Sequence, residues 1–389
     1  MLYPWVDWHR AAVTSWLKAA RLAASVMPLA QVLHPPRELF ARTLAAGAVS
    51  ERPLEALVAQ DALFPVECEA VALGPFARLL RLRGPEPQRQ RFVVMAPHSG
   101  YATAVISPLV TALVALGEVV VTDWVDARLV PTSAGPFGIV QQVEVGLEAA
   151  RALGGPAHLV GLSQSGPATL VLAAMLARDM PELRPASVTF LGCQLDPREA
   201  PTPLQQVLAP WPRDLLTGSL TTAVAASYPG AGRRVYPSLL QLLAYGMASP
   251  HLYADVQHGL LRELATGGAG AYDRQHTDMH SLLDVPAELF LQMLEWVLGP
   301  APWSDGAPVL AGERFELESL RRMPVLTVES AEDELVGRGQ THGLGGRLPW
   351  LQPAAVTVPG GRHHDLFTGP GFTGRVAPEL RRFYAALDR

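Results

Sequence analysis

The chain has 389 residues, of which 49% are hydrophobic and only 17% charged, with a formal net charge of −5. So much apolar surface offsets the entropy of ordering a chain and excludes intrinsic disorder. A mildly acidic balance offers no clustered basic surface, so nucleic acid is not an expected partner. The sequence first predicts a helix over residues 4–27, where Trp5, Trp8, Ala12 and Trp16 share one face. That stripe suits docking on the main domain or contact with an apolar lipid or polymer surface. Pro35-Pro36 ends the segment, and a second helical stretch over 37–62, broken near Pro53, completes an N-terminal region of residues 1–62.

The pattern then changes. Short strand-like runs over 66–73 and 76–83, separated by Gly74-Pro75, predict an antiparallel hairpin at a sheet edge. The apolar run Phe92-Val93-Val94-Met95-Ala96 reads as a buried parallel strand. Helix, strand, helix, strand, helix and strand follow over 102–116, 119–121, 139–153, 157–161, 167–177 and 187–192. Such alternation is the mark of a mostly parallel sheet flanked by helices. Residues 63–195 are the first part of this core. Over 196–322 the rhythm lapses into Pro-, Leu- and aromatic-rich sequence, too long for an ordinary loop and read as a largely helical cap. Strands over 325–328 and 354–358 and a helix over 376–387 resume the core within residues 323–389.

Two cysteines, Cys68 and Cys193, supply no disulfide framework and no thiolate metal site, which fits a reducing compartment. The first residues lack the basic start and unbroken apolar run of a secretory signal. The uncharged stretches 92–117 and 152–177 are broken by proline and polar residues, so no transmembrane segment is expected. A soluble, cytoplasmic protein is the expectation.

The strand over 157–161 runs through Gly161-Leu162-Ser163-Gln164-Ser165-Gly166 into a helix. Strand, sharp turn and helix around a serine match the nucleophile elbow G-x-S-x-G, with Ser165 where the second glycine is usual. Such a serine needs a base, and the base needs an acid to orient it. In chain order the acid comes next, and Asp333 lies a short turn past the strand over 325–328, with Glu332 and Glu334 as alternatives. The base is His363, ahead of His364, in the turn after the strand over 354–358. Oxyanion donors are expected from the N–H of Gln164 and from the loop Pro97-His98-Ser99-Gly100, with Ser99 preferred to His98.

Candidate substrate-binding residues are Trp124, Arg128, Arg233, Arg234 and His364. Structural ion pairing is the competing role for the arginines. His276, Asp278, His280 and Asp284 are metal-ligand types without a fixed ligand geometry, so neither metal nor cofactor is expected. Gly267-Gly268-Ala269-Gly270 follows a helix rather than a strand and reads as a hinge, not a phosphate cradle.

Beyond these features the chain resembles the intracellular polyhydroxyalkanoate (polyhydroxybutyrate) depolymerase family. The likeness starts at Met1-Leu2-Tyr3 and rests on four longer motifs. These are Thr122-Asp123-Trp124-Val125-Asp126-Ala127-Arg128, Tyr228-Pro229-Gly230-Ala231-Gly232-Arg233-Arg234-Val235-Tyr236-Pro237, Gly339-Gln340-Thr341 and Leu366-Phe367-Thr368-Gly369. The resemblance implies an α/β-hydrolase fold, with a mostly parallel sheet and a cap inserted before the last two strands. It also implies hydrolysis of stored polyester to hydroxyacids, and association with polymer granules. Better-known members carry cysteine where this chain has Ser163. The related polyester synthases also use cysteine, so serine favours the oxyester route to hydrolysis. Carriage of the roles places acid and base at Asp333 and His363. A carboxylesterase or acyltransferase acting on small esters, a non-catalytic granule-binding protein, and a homodimer all remain open at this point.

Overall fold

The computed structural model describes residues 38–39, 54–84, 90–98, 105–267, 270–299, 303–304, 307–310 and 312–388. The tryptophan-bearing helix and the break near Pro53 lie outside the described residues; of the second helical stretch, α1 (Leu54–Asp61) is described.

Eight strands form one sheet: β1 (Glu67–Leu73), β2 (Ala77–Arg83), β3 (Gln90–Met95), β4 (Gly117–Trp124), β5 (His158–Leu162), β6 (Ser187–Leu191), β7 (Val325–Ser330) and β8 (Ala354–Val358). Their spatial order is β1-β2-β4-β3-β5-β6-β7-β8. β2 is antiparallel to both neighbours, whereas every pairing from β4 through β8 is parallel. This is the α/β-hydrolase architecture. The hairpin β1–β2 pairs Leu73 with Ala77 across its turn and leaves β1 at the edge, as the Gly74-Pro75 signal predicts.

Burial follows position in the sheet. β5 and β6 are buried along their whole length, and such strands carry continuous apolar runs because helices cover both faces. β1, at the sheet edge, is almost wholly exposed and carries Glu67 and Glu69 at its start. α2 (Ser107–Val114), α3 (Ile139–Leu153), α4 (Gly166–Asp179) and the C-terminal α5 (Ala377–Leu387) flank the sheet. Tyr384 of α5 is fully buried against Phe92 and His158, with its hydroxyl 2.9 Å from Thr189 Oγ1. The His158 Nδ1 lies 2.8 Å from Ser187 Oγ, which pairs these two buried polar side chains.

Between β6 and β7 the chain leaves the sheet for an insertion built mainly of helices. Its longer members are Ser238–Ala248, Pro250–Thr266, Ala271–His280 and Ala287–Leu298, beside a small sheet of Thr222–Ala223, Arg234–Tyr236 and Val285–Pro286. Its attachment to the core is polar and buried. Arg233, expected from sequence to meet substrate, instead donates to the carbonyls of Val130 and Gly135 at 2.9 Å each, and to that of Pro131. Its guanidinium also stacks over Phe76, 4.8 Å from the ring centroid. A planar fork with several donors can serve three carbonyls at once, and burial leaves it no reach into a cleft. Arg128 stays with Asp126 at 3.2 Å and lies over Tyr228, while its carbonyl accepts the Gly230 N–H at 2.8 Å. Its side chain thus keeps the buried ion pair weighed for it from sequence, while its backbone carbonyl meets the insertion. Trp296 ties the far side through a 2.6 Å hydrogen bond to the Gln194 carbonyl.

Arg233→Ala removes the donors of three buried carbonyls and should cost about 2–4 kcal/mol of stability. Urea unfolding checks this, and Arg233→Lys should recover only part of the loss because a single ammonium cannot span all three acceptors.

Candidate active site

Three loops at the carboxyl ends of β5, β7 and β8 converge. Ser163 begins the turn between β5 and α4 and has φ +49°, the left-handed region that non-glycine residues avoid. Close packing around it explains the small neighbours. A Cβ on Gly161 would come 2.7 Å from Thr169 Oγ1, and one on Gly166 would come 2.6 Å from Cys193 Cβ. The close-approach role of the second glycine thus falls on Gly166. Ser165, one position earlier, is fully buried and does something else. Its hydroxyl donates to the Met95 carbonyl at 2.6 Å and accepts the Leu162 N–H at 2.8 Å, joining the turn to the end of β3.

Around Ser163 the sequence-predicted partners meet. His363 Nε2 is 3.0 Å from Ser163 Oγ, and His363 Nδ1 is 2.8 Å from Asp333 Oδ2. The other Asp333 oxygen accepts the N–H groups of Leu335 and Val336 at 2.9 and 2.8 Å, which fixes the carboxylate. Side chains of Asp333 and His363 are buried, whereas Ser163 is partly accessible. Burial alone would push the His363 pKa below its ordinary value. The Asp333 charge and hydrogen bond, with help from Glu334, more than offset this and raise it. With Asp333 on Nδ1, the ring presents Nε2 to the serine and can accept its proton. Of the alternatives for the acid, Glu332 is exposed and Glu334 meets the His363 backbone rather than its ring.

Gln164 follows Ser163 in the turn and is partly accessible. Ser99 lies outside the described residues. His98 is buried, stacked on Trp124 with centroids 3.9 Å apart, and its Nδ1 accepts from Gln142 Nε2 at 3.1 Å. Burial lowers its pKa to about 3, so the ring is neutral and structural. Trp124, expected at the substrate, is also buried; its indole N–H donates to the Ala96 carbonyl at 3.0 Å. Thr122 Oγ1 accepts the Ala96 N–H at 3.0 Å, so both side chains brace the chain at the end of β3. An indole whose N–H and face are both engaged has no surface left for substrate.

Arg234 is exposed on the insertion and donates to Thr221 Oγ1 at 2.6 Å. His364 engages the insertion, with its Nδ1 3.1 Å from the hydroxyl of Tyr245. Burial and the neighbouring His363 charge lower the His364 pKa to about 4, so the ring that meets Tyr245 is neutral. Neither Tyr245 nor Gln142 stood out in the sequence, since each sits inside a helix whose pattern signals only packing.

Cys193 is fully buried behind the turn, its thiol donating to the Gly161 carbonyl at 3.3 Å, and burial raises its pKa. Such a thiol is inert. His276 and His280 stack at 3.8 Å, but His280 Nδ1 is taken by the His276 carbonyl at 2.7 Å. Among the described residues no cluster of three or more His, Cys, Asp or Glu side chains could hold a metal ion, and no helix is long and apolar enough to cross a membrane.

No curated protein compared with the chain matches it. Among solved structures it is similar to a membrane phospholipase A described as a bacterial virulence factor, at 13% identity and TM-score 0.45, covering 97% of this chain and 99% of that one. It is similar to E-2-(acetamidomethylene)succinate hydrolase, at 17% identity and TM-score 0.46, covering 82% and 99%. Carboxyl esterase 2 from the mycorrhizal fungus Tuber melanosporum gives 13% identity and TM-score 0.45, covering 83% and 87%. A sequence model described as the PHB de-polymerase C-terminus matches residues 192–388, which hold the insertion, β7, β8, Asp333 and His363. Since that match spans more than half of the chain, the chain belongs to the PHB depolymerase family.

Proposed function

We propose that this chain hydrolyses the ester bonds of a polyhydroxyalkanoate of the 3-hydroxybutyrate type, with Ser163 as nucleophile, His363 as general base and Asp333 as its orienting acid. The observation that carries the reading is the continuous hydrogen-bonded path from Ser163 Oγ through His363 to Asp333, at 3.0 and 2.8 Å. Family membership supports the polyester as substrate.

In this reading Ser163 Oγ attacks the ester carbonyl as His363 Nε2 takes its proton. The backbone N–H groups of Gln164 and Ser99 hold the developing oxyanion. His363 then returns the proton to the departing hydroxyl of the polymer, leaving an oxyester on Ser163. Water, deprotonated by the same imidazole, releases the hydroxyacid. Asp333 keeps the proton on Nδ1 and stabilises the imidazolium. The insertion acts as a cap over this site, and the working location is the cytoplasm at the surface of polymer granules.

Ser163→Ala should lower release of 3-hydroxyacids from amorphous polyhydroxybutyrate by roughly 10³-fold or more with the fold unchanged. Asp333→Asn, which permits the wrong tautomer, should cost about 10⁴-fold in kcat. Turnover confined to short p-nitrophenyl esters would mark a general carboxylesterase instead, and unchanged turnover by Ser163→Ala would refute the assignment. The pH profile follows from His363. Its raised pKa places the acid limb of kcat/KM above the ordinary histidine value of 6.5, and rates fall as pH drops through that limb because the base is protonated. Rates on a soluble ester between about pH 5 and about pH 9 measure this.

A further inference from the structure

The loop after β7 presents Glu332, Asp333 and Glu334 in succession, and Asp333 takes the His363 ring. Glu334 addresses the same residue through its main chain: its Oε2 accepts the His363 N–H at 3.3 Å. Its other oxygen, Oε1, is buried and meets no hydrogen-bond partner. A buried carboxylate oxygen is ordinarily paired, because stripping it of water is costly. Glu334 therefore holds one carboxyl oxygen on the His363 main chain and a second, buried one that no donor meets. A cavity of about 190 Å³ borders this carboxylate, with Ser249, His251 and Arg362 among its other walls.

We propose that Glu334 is a positioning residue for the proton transfer, clamping the backbone of His363 while setting a second negative charge beside the imidazolium that forms when Ser163 is deprotonated. The inference rests on the reading of His363 as general base. Around that ring the charged or titratable groups are Asp333 and Glu334 from the acid loop, Arg362 and His364 from its own loop, and Tyr245 from the insertion. Burial works against a charged His363. Asp333 opposes that most strongly and Glu334 adds to it. The two carboxylates divide the labour, with one fixing the ring and the other the chain that carries it.

Glu334→Gln keeps an oxygen for the His363 N–H and removes the charge. On a soluble ester, its acid limb of kcat/KM should move to lower pH by on the order of one unit. The plateau kcat should fall about fivefold with KM little changed, since the loss is confined to the transition state. Glu334→Ala loses the clamp as well and should fall about tenfold further. A structural clamp alone would lower the plateau without moving the limb. The His363 ring titration followed by NMR in Ser163→Ala, with and without Glu334→Gln, reads the same displacement without turnover. Absence of esterase activity in the native protein would thus defeat the proposed function while leaving this measurement intact. Identical titrations with and without the Glu334 charge, or superimposed acid limbs, would overturn the proposal.

Discussion

At Ser163 the backbone stands at φ +49°, a conformation costing a non-glycine residue on the order of 1–3 kcal/mol. The turn keeps it because its surroundings admit no relaxed alternative. β5 delivers the chain at the middle of the sheet, α4 leaves at once, and the packing beside Gly161 and Gly166 has no room for a Cβ. The Ser165 hydroxyl then fastens the turn to the last carbonyl of β3. Strain at one residue is thus sustained by the sheet on one side and by a single buried hydroxyl on the other. The serine oxygen consequently stands clear of the sheet, where histidine can meet it.

The remaining site loops are held in the same manner, by polar contacts that look individually unremarkable. Trp124 and Thr122 use up both backbone groups of Ala96. Gln340 donates to Gln205 at 2.9 Å, and its carbonyl accepts the Asp196 N–H at 2.8 Å, tying the acid-loop segment to the start of the insertion. Phe367 packs edge-on against His363 with centroids 5.3 Å apart. The motifs that make the sequence resemble its family are therefore mostly brackets for the site, and only a few of their side chains are available to touch a substrate.

How much of this was legible beforehand varies with the kind of signal. The sheet was readable because buried parallel strands are uniformly apolar and alternate with helices. The order and spacing of Ser163, Asp333 and His363 were readable because each follows a strand end, where loops converge. Burial of a charged or aromatic side chain leaves no such trace. Arg233 looked like a substrate-binding residue, but what it binds are the carbonyls of Val130, Pro131 and Gly135. Trp124 looked like a substrate platform and proved to be a strut. Ser165 read as a tolerated replacement for glycine, although its hydroxyl has work of its own. The contact between Tyr245 and His364 joins residues far apart in the chain, and nothing local announces it.

The two adjacent imidazoles of this loop lie on different acid scales, set by burial and by the carboxylates that face only one of them. His363 is drawn toward protonation by its carboxylates, while His364, with a pKa of about 4, stays uncharged across the range in which its neighbour titrates. A change of charge on His363 therefore has no counterpart on His364. The contact between Tyr245 and His364, which joins the helical insertion to the histidine loop, keeps the same neutral partners whether His363 is protonated or not.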